Sequence, residues 1–179
     1  AVAPGIISAT TILALNYKGG AVLVSDSQAT QSNLDKFKEP VKKIFPMDSC
    51  SALGIAGVPS IAMKVSKILK ITLSAETRKA GGDFSCDGKA NLLERIVAQY
   101  FSLFLQTDGK LSADFLFVSY DQQKPGPRIF NCDPSAWAKE VSDYFSIGAG
   151  SGHVLDKLAL EWKSDLLEKH DPDVFNIFR

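Results

Sequence analysis

The order of its periodic stretches limits what this chain can fold into more than any single residue does. Four β-prone runs fill the first third, two long helical patterns follow, and strands then return ahead of a last helix. Residues 10–17 and 21–25 are rich in β-branched and apolar side chains, and Lys18-Gly19-Gly20 between them is a turn signal, so the two read as a hairpin. Residues 41–45 and 51–56 form a second strand pair, with Pro46, Asp48 and Ser49 as its turn, and the polar stretch 31–40 is a loop. Pro59 opens a helix on which Ile61, Val65, Ile68, Leu69 and Leu73 recur at helical spacing. Residues 79–88 read as a glycine-rich loop. Leu92, Leu93, Ile96, Val97, Tyr100, Leu103 and Phe104 mark a second amphipathic helix ending near Asp108-Gly109. Strands are expected at 114–120, 128–131 and 144–147, and a last helix from Gly152 into the 160s.

Strands in groups, followed by helices in groups, specify α+β layers and not an alternating parallel sheet. At 179 residues, with no repeat, low-complexity stretch or linker, the chain is expected to form one domain. Twenty basic and twenty acidic residues cancel, so charge gives no case for nucleic acid or an anionic membrane as a partner. Three cysteines without a CxxC pair argue against a disulfide framework and fit a reducing compartment, so a cytoplasmic protein is expected. Two histidines make a histidine-rich metal site improbable, and no metal or organic cofactor is implied.

A hydroxyl nucleophile needs a base. His153 and His170 come late, and neither accompanies a GxSxG elbow, so a serine–histidine triad has little support. The other economical arrangement is a threonine whose own freed α-amine is the base. Thr10 sits at the head of the first strand behind a short segment, where that is geometrically feasible; on their own Thr10 and Thr11 read more readily as ordinary strand residues.

The surroundings of Thr10 carry a resemblance. Thr10-Thr11-Ile12 is followed by the run from Gly20 through Asp26-Ser27-Gln28-Ala29-Thr30, then by Val41-Lys42-Lys43-Ile44 and Gly54-Ile55-Ala56-Gly57. Tyr120-Asp121, Gly126-Pro127-Arg128 and the turn Ser146-Ile147-Gly148-Ala149-Gly150-Ser151-Gly152 come later in matching order. This ordered set resembles the β-subunits of the 20S proteasome and their bacterial relative HslV. The resemblance implies a four-layer αββα sandwich of two antiparallel sheets, as in other N-terminal-nucleophile hydrolases. It implies a leader-like segment, 1–9, ahead of a domain spanning 10–179. It implies a threonine-type endopeptidase subunit of a self-compartmentalised ring. Such a subunit takes unfolded polypeptides, with an ATP-dependent unfoldase as a partner by analogy.

Position by position, Thr10 matches the nucleophile, Asp26 the buried acid and Gly57 the oxyanion glycine. Lys42 fits the family's lysine by a strict count from Thr10, whereas the Val-Lys-Lys-Ile pattern selects Lys43. Substrate backbone is expected to pair near Thr30 and Pro59, and Ala29, Val41, Phe45, Ile55 and Pro59 fall where the family's specificity pocket lies. All five are apolar, which implies a preference for apolar side chains. The sequence also departs from the pattern. Ala9 stands where precursors carry glycine, and Ala149 stands where the turn carries a serine, with Ser146 and Ser151 as the nearby hydroxyls. No Asp-Ser-Gly follows Ser151, and Asp165, Asp171 and Asp173 sit in the wrong context, which implies a C-terminally truncated version of the fold. The same residues admit a non-catalytic ring subunit, or an amidase of the wider N-terminal-nucleophile group that forms no ring.

Overall fold

The computed structural model describes residues 10–17, 20–27, 42–82, 84–107, 113–121, 126–135 and 137–161. The expected leader 1–9, the loop 31–40 and the tail aspartates Asp165, Asp171 and Asp173 lie outside the described residues. Two antiparallel sheets stack face to face. The smaller has strand order β2-β1-β8, built from β1 (Ile12–Tyr17), β2 (Gly20–Ser25) and β8 (Tyr144–Ile147). The larger runs β3-β4-β5-β6-β7, from β3 (Ile44–Asp48), β4 (Ser51–Gly57), β5 (Ala113–Asp121), β6 (Gly126–Cys132) and β7 (Ala138–Val141). Helices α1 (Pro59–Ala80) and α2 (Cys86–Gln106) cover the larger sheet, and α3 (Ser151–Glu161) packs beside β8 and β1. This is the αββα sandwich.

The alternation of side chains along each strand builds two cores. Leu53 and Ile55 of β4, Phe115 and Phe117 of β5, and Phe130 and Cys132 of β6 face the helices, where they meet Val65, Leu69 and Leu73 of α1 and Leu93, Ile96 and Val97 of α2. A fully buried side chain of this size is worth about 1.5–3 kcal/mol, so this face holds most of the apolar stabilisation. The opposite face carries the smaller inter-sheet core of Ile12, Ala14, Ala56, Leu116, Ile129 and Ile147. Small residues let the two sheets close there. A Cβ placed on Gly54 would lie 2.7 Å from Cγ2 of Ile12.

Three expectations need correction. Pro46 is not a turn residue but a member of β3; it is tolerated because β3 is an edge strand, and the register shifts between Pro46 and Asp48. The stretch 79–88 is not all loop. α1 continues to Ala80 and ends on Gly81 with φ +67°, while α2 begins at Cys86, where the N–H of Gly88 donates to Oγ of Ser85 at 3.2 Å. Strand β7 was not anticipated. Its sequence, Ala-Lys-Glu-Val, is polar, and α2 fastens it from outside. The Ala138 N–H donates to Glu94 at 2.7 Å, and Arg128 forks onto both Glu140 of β7 and Asp87 of α2 at 2.6–2.8 Å.

One further tie crosses the helical core. Lys89 of α2 is wholly buried, and its ammonium lies 3.0 Å from Oδ2 of Asp48 at the β3–β4 turn. Burial alone would raise the Asp48 carboxyl, but hydrogen bonds from Ser51, Lys89 and the Cys50 N–H outweigh it, leaving Asp48 below its ordinary 3.8. Asp48→Asn withdraws the carboxylate from a buried ammonium, and the chain should lose about 3 kcal/mol in urea unfolding at pH 7. Because the folded value is depressed, the contribution of Asp48 is complete above the unfolded value of 3.8 and fades as pH falls through the lower folded value. The gap between wild type and variant should therefore narrow in acid and stay constant from pH 5 to 7.

Candidate active site

Thr10 is 2% exposed at the head of β1. One residue on, the Thr11 N–H donates to Oδ1 of Asp26 at 2.7 Å, and the Asp26 N–H donates back to the Thr11 carbonyl at 3.2 Å. The hairpin register explains this closure. Ile12 pairs with Ser25, so the residues just outside the ladder, Thr11 and Asp26, meet across the open end. The other carboxylate oxygen, Oδ2, receives Nζ of Lys43 at 2.7 Å. Lys43 is 5% exposed and its carbonyl accepts from the Ile55 N–H at 2.9 Å, which fixes it against β4. Asp26 is one-third exposed, so this is a half-buried bridge with a buried cation.

The alternative lysine behaves differently. Lys42 is exposed and lies over the Phe45 ring, 5.8 Å from its centroid. Of the two, it is Lys43 that the structure joins to Asp26. The Asp26 carboxylate offsets the loss of water around the buried Lys43 ammonium.

The turn after β8 closes over the same point. Gly148 has φ +93°, and a Cβ there would overlap the carbonyl oxygen of Thr10 and come within 3.4 Å of Ala56 Cβ. A Cβ on Gly150 would overlap Oγ1 of Thr11. Thr10, Ala56 and the turn therefore converge, and Gly57 follows Ala56 directly, at the end of β4 with φ +122°. Ala149 is exposed in this turn. Of the nearby hydroxyls, Ser146 is buried and donates to the Ile12 carbonyl at 2.9 Å, while the Ser151 N–H donates to Gly148 at 3.0 Å.

Three of the six expected substrate contacts fall among the described residues, and Phe45 packs against the core that holds Ile55. Phe45 lines a cavity of about 440 Å³ between β3 and α1, shared with Lys42, Pro46 and Met63. Ile55 is 4% exposed and belongs to the core beneath α1, and Pro59 is exposed at the start of that helix. Ala29, Thr30 and Val41 lie outside the described residues.

Two residues near the site went unnoticed in the sequence. Thr11 reads as a plain strand residue, yet its amide anchors Asp26. Asp114 is a lone acid at the start of an apolar strand, opposite Ala56 in the β4–β5 ladder, and burial, then the charge of Asp133, pushes its carboxyl above the ordinary range. The spacing signal for Asp114 was present: it alternates with Leu116 and Val118 on the inward face. Cysteine chemistry is disfavoured at Cys86 and Cys132. Burial raises both thiols, Cys132 to about 12 with help from Asp133, Glu94 and Asp114, which leaves little thiolate.

The family model described as Proteasome: Proteasome subunit matches residues 6–170. The chain is 31% identical over 160 residues to the proteasome subunit beta of Streptomyces griseus subsp. griseus, an alignment covering 89% of this chain and 56% of that protein. It is 33% identical over 159 residues to the proteasome subunit beta of Acidimicrobium ferrooxidans, covering 89% and 57%. The chain thus spans a little over half the length of these curated relatives.

Gly148 and Gly150 give a graded test of the turn. Gly148→Ala combines a left-handed backbone with a clash against a main-chain oxygen, and should cost about 3 kcal/mol or more in thermal or urea unfolding. Gly150→Ala meets only the Thr11 side chain, chiefly its hydroxyl, with no main-chain clash and no left-handed backbone, and should cost less than half as much. Equal costs would show that the turn does not seat on Thr10 in this way.

Proposed function

The chain belongs to the proteasome subunit family, and from that premise we propose that it is a threonine-type endopeptidase subunit that works inside a ring. The observation that carries the proposal is the Asp26 bridge, one carboxylate shared between the Thr11 amide and the Lys43 ammonium beside Thr10. Thr10 follows Ala9, so its nitrogen is an amide and cannot act as a base until that bond is cut. Hydrolysis of the Ala9–Thr10 bond adds water across it, releases the leader with a new carboxyl end, and gives Thr10 a free amine.

The steps then follow from the roles assigned. The Thr10 amine takes the proton of Oγ1, directly or through a water, as Oγ1 bonds to the carbonyl carbon of the substrate. The field of Lys43 lowers the cost of the alkoxide, and the Gly57 N–H donates to the oxyanion. Collapse of the tetrahedral adduct breaks the C–N bond, and the departing amine takes the proton. Water, giving a proton to the Thr10 amine, then attacks the ester; release of the acid returns the proton to Oγ1. Apolar walls from Phe45, Pro46 and Met63, on the strand that follows Lys43 and on the first turns of α1, favour an apolar side chain on the acyl side of the cut. Ring assembly supplies the enclosed space and brings in other subunits of the family. The cytoplasm, HslV-like behaviour and an unfoldase partner belong to the same proposal.

A second reading, a ring subunit without activity, is favoured by one observation: Ala149 offers no hydroxyl in the turn over Thr10, and Ser146 is spent on Ile12. Mass spectrometry of the purified chain together with peptide hydrolysis separates the two. An enzyme should begin at Thr10 and cleave. Thr10→Ala should keep the segment before residue 10 and lose about 10⁴-fold or more in rate, and Lys43→Met should lose roughly 10²–10³-fold in kcat. A chain that keeps residues 1–9 and cuts nothing is the inert subunit. Hydrolysis unchanged in Thr10→Ala would remove Thr10 from the mechanism.

Cleavage after apolar, basic and acidic residues can be compared with short fluorogenic peptides. The apolar peptide should be preferred in kcat/KM, and a basic preference would overturn the assignment of the Phe45 wall.

A further inference from the structure

We propose that Asp114 is a positioning residue for Thr10, with its carboxylate set to face the α-amine that cleavage of the Ala9–Thr10 bond creates. The strand registers place it there. In the β4–β5 ladder Gly54 pairs with Leu116, and Ala56 pairs with Asp114. Gly54 lies on Ile12, since a Cβ on it would stand 2.7 Å from Cγ2 of Ile12. Two residues further along β4, Ala56 meets the turn that rests on Thr10. A Cβ on Gly148 would overlap the Thr10 carbonyl oxygen and lie 3.4 Å from Cβ of Ala56. The Gly54–Leu116 pair therefore sits at the level of Ile12, and the Ala56–Asp114 pair at the level of Thr10. Alternation turns Asp114 to the face of Leu116, which packs with Ile12, Ala56 and Ile147 between the sheets. Side chains directly opposite on one face have Cβ atoms about 5 Å apart. The Asp114 carboxyl thus stands beside Ala56, at the Thr10 end of the inter-sheet space.

The fold makes no use of this carboxyl. Asp114 is half-buried, and among the described residues it forms no hydrogen bond and no ion pair. Burial, then the like charge of Asp133 just past the Phe115–Cys132 pair, raises it above the ordinary 3.8. A carboxyl raised in this way destabilises the folded chain once ionised. The penalty is absent below 3.8 and complete above the raised folded value. An acid that works against the fold, on a face otherwise built from apolar side chains, points to the site beside it.

The other charges around Thr10 leave this role open. Asp26 is shared between the Thr11 amide and Lys43, and Lys43 disfavours a second cation near it. The adjoining ends of β4 and β8 carry only Ala56, Gly57, Ile147 and Gly148. Helix α3, packed beside β1 and β8, brings His153, which is exposed in its first turn. When the Thr10 amine takes the proton of Oγ1 it becomes an ammonium, and a carboxylate facing it stabilises that form. Asp114 thereby offsets the field of Lys43 and keeps the amine basic enough to accept the proton. The ammonium in turn draws the Asp114 carboxyl back down.

The inference rests on the peptidase reading, and the experiment separates the two failures. The full chain, after its own processing, is compared with Asp114→Asn and Asp114→Glu on an apolar fluorogenic peptide from about pH 5 to 9. Asp114→Asn should lose roughly tenfold in plateau kcat with KM little changed, and its acid limb should move down by about half a pH unit or more. Asp114→Glu should recover most of both. Titration of the Thr10 amine by NMR on threonine-labelled protein should show the same downward shift without turnover. Asp143→Asn removes one negative charge beyond the far end of β1 and should leave the limb in place. In the Thr10→Ala chain, Asp114→Asn should raise the urea midpoint at pH 7, and the gain should shrink as pH falls toward 3.8. A lowered midpoint would make Asp114 an ordinary structural residue and overturn the proposal. So would an unchanged acid limb and amine titration in a variant that is processed and cleaves; the peptidase reading would then stand without Asp114. An Asp114→Asn chain that keeps its leader while the parent sheds it would place Asp114 ahead of the amine, and would also overturn it. A parent chain that keeps residues 1–9 and cuts nothing has no amine at Thr10 and overturns both readings.

Discussion

The carboxylate of Asp26 holds together three stretches that the sequence keeps apart. One oxygen accepts the Thr11 amide from the start of the first hairpin; the other accepts the Lys43 ammonium from the lead-in to β3. β1 and β2 belong to one sheet and β3 to the other, so this is also a tie between the two layers. The inter-sheet core around it is thin, built on Ile12, Ala14, Ala56 and a few partners. A thin core tolerates close approach of the sheets but stabilises less than the helical side. A charge-assisted pair at its open end, worth more than a neutral hydrogen bond, fixes the spacing there. The cost is that Lys43 is 5% exposed and depends on Asp26 for compensation.

The arrangement of glycines follows from the same closeness. Gly54 lets Ile12 lie on β4, and Gly148 lets the turn after β8 rest on the Thr10 carbonyl. Neither could be replaced without moving a neighbour that also positions the Asp26 bridge. Packing of the sheets and placement of the candidate nucleophile are therefore one constraint expressed at several residues. The helical side is a separate system, with its large apolar core and the buried Lys89–Asp48 pair. It supports β4, whose last residue is Gly57, without contributing a residue to the bridge.

Much of this was legible in the sequence because it is local. The first hairpin, both helical periodicities and the grouping of elements follow from residue patterns within short windows. The pairing of Asp26 with a lysine came from the resemblance, and the choice of Lys43 over Lys42 from pattern and not from count. The failures are tertiary. Pro46 looks like a turn until its strand is known to be an edge. β7 has no apolar alternation, because Glu94, Arg128 and α2 hold it from one side. Ile55 came to the pocket set from the resemblance, and the pleat turns it to the helical core against which Phe45 also packs. Lys89 looks like a solvated helix residue, and nothing within its own helix announces that Asp48, forty-one positions earlier, receives it.

The two cationic features of the chain illustrate opposite uses of one residue type. Lys43 and Lys89 are buried, each against a carboxylate, and such an ion is retained only where that partner offsets the loss of water. Lys64, Lys67 and Lys70 line an open groove in which solvent screens them, so they cost the fold little. Among the described residues this row forms no ion pair, and it borders exposed Met63 and Ile71.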